Sequence, residues 1–281
     1  MRRLFSWGLI LLCVVYLVGC STIIKSLEEV VEQEDSEATQ PAKKLGQAED
    51  LLEQMKKEME KMAGYSWESQ GQQQMNMVEG TATTAFQYGM DFLDNSHYMI
   101  DIEVKVSAGR INNVMEMEVI RDGDQVYFYE PILKKWERTR EVPEEMTGLM
   151  GMEYFDPVEL VSLLSPHANQ IMVAEEGQHW KLTLELQEHK EITPFMKYAI
   201  ENFQRNKDVK ANDITFSDLK MTMLINKSNH QLSQVEQSLK VNMPMTSGDN
   251  LDISQNWTNK FKGEVKELTI PDEAKNAPFA D

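Results

Sequence analysis

The side chains in this sequence that could carry out acid–base or metal chemistry are histidines and clustered acids, and their spacing fits neither task. The five histidines are scattered along the chain: His97, His167, His179, His189 and His230. Adjacent acids at 144–145 and 175–176 are typical of a solvated face, and the Asp-Gly-Asp turn at 122–124 lacks the other ligands of a calcium loop. No phosphate-binding, nucleophile-elbow or zinc-protease motif occurs in the sequence. We therefore expect a protein that is not an enzyme, with no catalytic residue, no metal site and no cofactor.

Cys20 is the residue with the most specific chemistry, because its surroundings direct a covalent modification. Arg2 and Arg3 precede an apolar stretch at 4–18. That stretch is shorter than the ~20 residues needed to cross a bilayer, and it has the layout of a secretory signal. The residues Leu17-Val18-Gly19-Cys20 resemble the bacterial lipobox. The resemblance implies cleavage before Cys20 and attachment of acyl chains, such as palmitate, to the new N-terminal cysteine.

These features predict a signal peptide at 1–19 and a protein anchored by lipid to the extracytoplasmic face of the cell membrane. Two or three acyl chains hold a protein stably at a bilayer, whereas one chain holds it only marginally. The alternative is an uncleaved N-terminal anchor in which Cys20 is an ordinary apolar residue. In the lipoprotein interpretation, the lipid on Cys20 makes the contact with the membrane.

The composition excludes one class of partner and one kind of cross-link. The chain has 46 acidic against 28 basic residues and a formal net charge of −18. We expect no nucleic-acid partner, because phosphates require basic patches. The cysteines are Cys13 and Cys20; the first would leave with the signal peptide and the second would carry lipid. No disulfide is therefore expected, and the hydrophobic core must supply the stability.

The remaining chain divides into a short tether and one domain. Residues 20–47 are acidic and lack aromatic side chains, which predicts a disordered tether. The domain at 48–281 begins with a helix, because apolar residues recur there every three or four positions and Gly64 is placed to end the repeat. The apolar stripe consists of Leu51, Leu52, Met55, Met59 and Met62.

From Tyr65 onward the apolar period changes to two, which is typical of strands with one dry and one wet face. Turn residues at 122–124 and 228–230 separate such strands. Asp156-Pro157 and Thr193-Pro194 carry the cap and proline signals of helix starts. The pattern predicts an α+β, mainly β fold. We expect a strongly curved antiparallel sheet of about 10–12 strands, a half-open barrel, with helices plugging its concave side.

Several stretches of the domain resemble the LolA-like lipid-binding envelope lipoproteins, and most closely a family of uncharacterised Gram-positive lipoproteins. After the lipobox and the acidic tether, the matching stretches are "YSWESQGQQQMNM", "GDQVYFYEPILKKWERT", "FDPVELVSLLSP", "FSDLKMTMLINKSNHQLSQVEQSLKVNMPM" and "VKELTIPDEAKNA". The resemblance implies a half-barrel with a hydrophobic cavity under its helices. In better-known relatives such a cavity carries acyl chains. No local motif defines the residues that face a ligand.

Methionines are frequent, and many stand two apart on predicted strands, so that both members of a pair share one face. The chain contains 19 methionines. Met adapts to irregular apolar shapes, so these pairs are candidates for a cavity wall, with ordinary core packing as the alternative. The pairs are Met75 and Met77, Met115 and Met117, Met221 and Met223, and Met243 and Met245.

Two further features are candidates for the edges of such a cavity. Trp136, in an aromatic hairpin, is a candidate for its rim. An apolar segment beside two glycines could close it as a lid or touch the membrane, and a loop folded onto the core is the alternative. The candidate lid consists of Leu149, Met150, Met152, Tyr154 and Phe155.

Together these features predict a membrane-anchored surface lipoprotein that binds a lipid-like or other hydrophobic ligand, as a carrier, sensor or presenter. The alternative is a non-enzymatic lipoprotein that docks to an envelope protein or regulator and fills its cavity with its own side chains. An open apolar cavity would distinguish the first from the second.

Overall fold

The computed structural model describes residues 46–77, 80–94, 96–109, 111–130, 134–140, 156–197, 200, 204 and 207–279. The predicted signal peptide, Cys20 and candidate lid lie outside these residues, as does the predicted tether except at its end. No helix within the described ranges is long and apolar enough to cross a membrane.

The described chain forms one antiparallel sheet of eleven strands in the order β6-β5-β4-β3-β2-β1-β11-β10-β9-β8-β7. The strands are β1 (Tyr65–Met77), β2 (Gly80–Asp94), β3 (His97–Ala108), β4 (Ile111–Asp122), β5 (Gln125–Glu130), β6 (Lys135–Thr139), β7 (Met172–Glu176), β8 (His179–Leu186), β9 (Thr215–Asn226), β10 (Leu232–Pro244) and β11 (Asn250–Glu264). Two meanders, β1–β6 and β7–β11, are joined where β1 pairs with β11. The predicted class, a curved and half-open antiparallel sheet, is confirmed.

The turns form where the sequence predicted them. Gly123 has φ 61° between β4 and β5, a left-handed conformation that glycine adopts without steric cost. Between β9 and β10, His230 has φ 55°. The Asn226 side chain supports that turn, because its Oδ1 accepts the backbone N–H of Ser228 at 2.8 Å.

Four α-helices have both ends within the described residues: α1 (Gln47–Met59), α2 (Pro157–Leu164), α3 (His189–Ile192) and α4 (Asp272–Lys275). Helix α1 buries the predicted stripe from Leu51 to Met59. Helix α2 begins as predicted, because Asp156 Oδ1 accepts the backbone N–H of Val158 at 2.8 Å and that of Glu159 at 3.4 Å.

The predicted helix start at Thr193-Pro194 lies inside a helical segment that begins earlier and has further helical residues at 197, 200 and 204. The helical turn begins earlier, at His189, and Thr193–Met196 continues it as a 3₁₀ turn. The Thr193 hydroxyl donates back to the carbonyl of His189 at 2.7 Å instead of capping a new helix. Proline suits the first turn of any helical segment. Its position therefore could not distinguish a new start from the continuation of an existing turn.

Side-chain alternation divides the apolar residues between two clusters on opposite faces of the sheet. The main core gathers one face of the strands together with α1 and α2. We call this face of the sheet the inner face and the opposite one the outer face. A smaller cluster lies on the outer face at β4–β6, where the C-terminal segment packs. It consists of Ile120, Tyr127, Trp136, Ala274 and Ala277.

Candidate functional site

The inner face of the two central strands is where polar side chains enter the main core. Ladder pairing places Trp67 opposite Phe261, Ser69 opposite Asn259, Gly71 opposite Trp257, Gln73 opposite Gln255 and Met75 opposite Ile253. Every second residue of a strand faces the same side. The polar members of this series therefore point to the same side as buried Trp67 and Met75.

Four amide side chains form what we call the amide cluster: Gln73, Gln237, Gln255 and Asn259. They are exposed by only 1, 2, 4 and 1%, respectively. Gln73 and Gln255 are direct cross-strand neighbours, a pairing that brings Cβ atoms to about 5 Å. Gln237 on β10 is the diagonal neighbour of Gln255, about 7–8 Å away. Three glutamines from three strands thus adjoin one another, with Asn259 beyond Trp257 on β11.

The three glutamines have no hydrogen-bond partner among the described residues. Both side-chain atoms of Gln73, Gln237 and Gln255 are buried and unpaired there, and so is Asn259 Nδ2. Each unpaired buried polar group costs about 1–3 kcal/mol. An apolar face without such groups would be more stable, so the cluster is a candidate for binding a polar group.

Asn259 differs from the glutamines, because its oxygen is held in place. The Ser69 hydroxyl donates to Asn259 Oδ1 at 2.6 Å. Tyr88, opposite Ser69, is hydrogen-bonded to it. Burial raises the pKa of Tyr88 well above its usual value, which keeps the phenol neutral. These hydrogen bonds fix the Asn259 side chain and leave its Nδ2 as a donor within the core.

Aromatic side chains surround the amide cluster, and a glycine makes room for them. A Cβ at Gly71 would lie 2.4 Å from Cζ of Phe86 and 2.7 Å from Cβ of Trp257. The ring of Phe86 therefore occupies the space above strand β1. It stacks on Tyr88 with centroids 5.6 Å apart. An apolar wall with a few convergent polar groups is the usual composition of a ligand-binding site.

The predicted methionine wall lies on this face wherever its side chains are described. Met75, Met221, Met223, Met243 and Met245 belong to the main core. Met115 and Met117 are half-buried against it, and the side chain of Met77 lies outside the described part. Two of the methionines, Met221 and Met223, are fully enclosed by protein.

Trp136 lies elsewhere than the sequence suggested, and we correct its placement. It packs in the small outer cluster with Ile120 and Tyr127, not at the rim of the inner face. The reason is register: Trp136 pairs with Tyr129 on β5, and the odd-numbered residues of β5 face outward while Val126 and Phe128 face the main core. Leu149, Met150, Met152, Tyr154, Phe155 and Cys20 lie outside the described residues, so their roles stay predictions.

The sequence held a signal for the amide cluster that our interpretation did not use. Gln237 shares its strand parity with buried Val235 and Leu239. In the same way, Gln73 shares its parity with Met75, and Gln255 with Ile253. A polar residue at an apolar position of an alternating strand marks a buried polar group. That the three glutamines adjoin one another follows only from the pairing of β1, β11 and β10.

The outer face carries a second concave feature, a depression of about 540 Å³ across strands β3, β2, β1, β11, β10 and β9. Among its charged groups, Lys105 is paired with Glu103 at 2.6 Å and Lys220 with Glu185 at 2.7 Å, and Glu236 accepts a hydrogen bond from Gln234 Nε2 at 2.6 Å. Within the described ranges, no group of three metal-ligating side chains occurs. The depression therefore offers a solvated, charge-balanced surface, and the inner face is the better candidate site.

Comparison with known proteins gives one family and several distant structures. The model of a family of unknown function, DUF6612, matches residues 47–279. LprF from Mycobacterium bovis is 12% identical, with a TM-score of 0.38, covering 83% of this chain and 99% of its own. A domain from Vibrio parahaemolyticus described as an outer membrane lipoprotein-sorting protein is 11% identical, with a TM-score of 0.26, covering 78% and 95%. A DUF1329 family protein from Desulfovibrio piger is 8% identical, with a TM-score of 0.26, covering 78% and 93%. No curated protein matches the sequence.

Proposed function

Because the chain belongs to DUF6612, a family of unknown function, we propose from the site itself that it is a binding protein for a hydrophobic ligand. The ligand would lie against the inner face of the sheet. The observation that carries this proposal is the amide cluster, whose buried glutamines have no partner among the described residues. A ligand with its own polar group would supply the missing hydrogen bonds.

The apolar surroundings of the cluster fit an acyl chain. Burial of apolar surface contributes ~25 cal/mol per Å², so a long chain supplies most of the binding free energy. Methionine side chains repack around irregular shapes, and Met75, Met221 and Met243 contribute to this face. Such a wall would accept chains of different length and unsaturation.

The predicted lipidation of Cys20 adds a cellular location to the proposal. With a signal peptide at 1–19 and acyl chains on Cys20, the domain would be held at the extracytoplasmic face of the membrane. The tether would let it reach the bilayer where lipid ligands reside. The protein would then act as a carrier, sensor or presenter of lipid and not as an enzyme.

A specific observation favours the alternative as well. Met221, Met223 and Leu184 are 0% exposed, as expected where a core is filled by its own side chains. In that case the protein would bind no lipid and would dock to an envelope protein or regulator.

Lipid extraction distinguishes the two functions. Residues 20–281 with Cys20→Ser, which removes the protein's own acyl chains, would be purified without detergent and extracted with organic solvent. Native and denaturing mass spectrometry would then detect bound lipid. A stoichiometric lipid supports the binding function. A protein that yields no lipid and takes up no fluorescent fatty acid rules it out and leaves the docking function.

A second experiment tests the anchor independently. Cells expressing the full chain would be labelled with radioactive palmitate and fractionated. We expect label and membrane association for the unaltered protein and loss of both for Cys20→Ser. Cys13→Ser is the matched control and should retain both. Membrane association without label would show the uncleaved anchor instead.

A further inference from the structure

We infer that Gln73, Gln237 and Gln255 bind the polar part of the ligand and that this part is uncharged, as in a monoacylglycerol, and not a carboxylate or a phosphate. The inference rests on the proposed binding function and narrows its ligand class. It follows from three properties of the site: the burial of the amides, their donor and acceptor content, and the absence of charge on the inner face of the described strands around them.

The burial shows that the amides require a partner within the core. Gln73 is 1% exposed and Gln237 2% exposed, so bulk water does not satisfy them. A primary amide has one acceptor oxygen and two donor hydrogens. Three adjoining glutamines therefore present both kinds of group to the same space. A ligand group that both donates and accepts, such as a hydroxyl beside an ester, matches them better than an acceptor-only anion.

The strands around the cluster carry no charge on their inner face. The inner positions of β1 are Tyr65, Trp67, Ser69, Gly71, Gln73 and Met75. Those of β2 are Ala82, Thr84, Phe86, Tyr88, Met90 and Phe92. Those of β10 are Val235, Gln237, Leu239, Val241 and Met243, and those of β11 are Leu251, Ile253, Gln255, Trp257, Asn259 and Phe261. Among these described strands, an anion would find hydrogen-bond donors but no cation.

An unpaired charge is therefore expelled from this site, whereas a neutral polar group is accepted. Moving an ionised carboxylate from water into an apolar environment without a counter-charge costs far more than moving a hydroxyl. The charged groups of the outer face cannot compensate, because the backbone of the sheet lies between and they are solvated. A fatty acid would have to bind in its protonated form.

The test compares two ligands that share one acyl chain. Monooleoylglycerol and oleate would be titrated at pH 7.4 against residues 20–281 carrying Cys20→Ser, with displacement of a fluorescent acyl probe as the readout. We expect monooleoylglycerol to bind at least about tenfold more tightly than oleate. Gln73→Met and Gln255→Met, made separately, should each weaken monooleoylglycerol about three- to tenfold, the usual effect of a lost hydrogen bond.

Gln70→Met is the matched control, because Gln70 lies on the same strand but is exposed on the outer face. It should leave both affinities unchanged. Thermal unfolding of the ligand-free variants provides a second readout. Gln73→Met should raise Tm, because it removes an unpaired buried amide, and Gln70→Met should not.

The possible outcomes distinguish failure of this inference from failure of the proposed binding function on which it rests. Equal or tighter binding of oleate overturns the inference but leaves lipid binding intact. A Gln73→Met variant that is more stable but binds both lipids as before would also overturn the inference and leave lipid binding intact. The cluster would then hold only water. A lower Tm for both Gln73→Met and Gln255→Met would show that the amides are partnered within the protein, and would also overturn it. Failure of both lipids to bind the unaltered domain, with no lipid recovered by extraction, removes the binding function itself.

Discussion

At the scale of the residue, carboxylates on the outer face show how the sheet holds acidic side chains close together. Asp101 on β3 stands opposite Glu118 on β4. Burial, and secondarily the charge of Asp101, raises the pKa of Glu118. The Gly89 N–H donates to Asp101 Oδ2 at 3.3 Å, so Asp101 has a partner of its own. In a chain with net charge −18, such pairs act against folding at neutral pH.

Glu118→Gln should therefore stabilise the protein at pH 7. The folded protein holds the Glu118 proton more tightly than the unfolded chain, so stability falls as pH rises from the unfolded pKa of about 4.3 through the raised folded value. We expect a higher Tm for the variant at pH 7 and no difference at about pH 3.5, measured by calorimetry. Glu267→Gln, at an exposed site, is the control with no effect at either pH. An equal gain at both pH values would contradict the assignment.

Gly71 is the second residue whose replacement has a definite consequence. An added Cβ would lie 2.6 Å from the carbonyl oxygen of Asn256, in addition to its contacts with Phe86 and Trp257. The backbone contact cannot be relieved by rotating a side chain. Gly71→Ala should destabilise the protein by about 1–3 kcal/mol, the usual cost of overpacking, measured by urea unfolding. A change below about 0.5 kcal/mol, the range of neutral surface substitutions, would show that the two strands separate easily here.

At the scale of the element, helix α2 depends on its cap. Asp156 accepts backbone N–H groups of Val158 and Glu159, and the helix buries Leu160, Val161 and Leu164 against the main core. The cap is local in sequence, which is why it could be predicted. The length of the helix and its burial depend on what lies beneath it.

Asp156→Ala should destabilise the protein by about 1 kcal/mol, because the first turn loses its side-chain acceptor. Asp156→Asn should retain most of the stability, since asparagine caps nearly as well. The midpoints of urea unfolding, compared at equal m-values, give the difference. If both variants lose the same amount, the charge and not the cap is what stabilises α2.

At the scale of the whole molecule, the C-terminal segment covers the outer face of β4–β6. Ala274 and Ala277 are buried against Ile120, Tyr127 and Trp136. The backbone N–H of Arg138 donates to the carbonyl of Pro278 at 2.9 Å, and the Arg138 guanidinium lies 4.1 Å from the centre of the Phe279 ring. This segment therefore buries Trp136 from the side opposite the candidate site.

Ala274→Glu should displace the segment, because it would bury an unpaired charge beside apolar side chains. We expect a lower Tm and a red shift in tryptophan emission as Trp136 becomes solvated. In a Trp136→Phe background the red shift should disappear while the loss of stability remains. Glu273→Ala, on the exposed side of α4, is the control. An unchanged emission spectrum for Ala274→Glu would contradict the packing.

Features set by neighbouring residues were predictable from the sequence: the alternation of the strands, the turns after β4 and β9, the apolar stripe of α1 and the Asp156 cap. Each depends on contacts within a few positions, so local propensity determines it. At Thr193-Pro194 the helical segment was predicted but its beginning at His189 was not, because proline fits a continuing turn as well as a new one. The methionines of β1, β9 and β10 reached the predicted face because strand parity alone decides which side a residue faces.

The candidate site was decided by tertiary structure. It depends on the ladder that places Gln73 opposite Gln255 and on β10 as the next neighbour, a pairing between opposite ends of the domain. Trp136 was misplaced for a related reason, because the register of β5 against β6 assigns its face. The sequence by itself determined which side chains each strand turns inward. Only the order of the strands decided which of those side chains meet, since pairing partners far apart in the chain leave no local pattern.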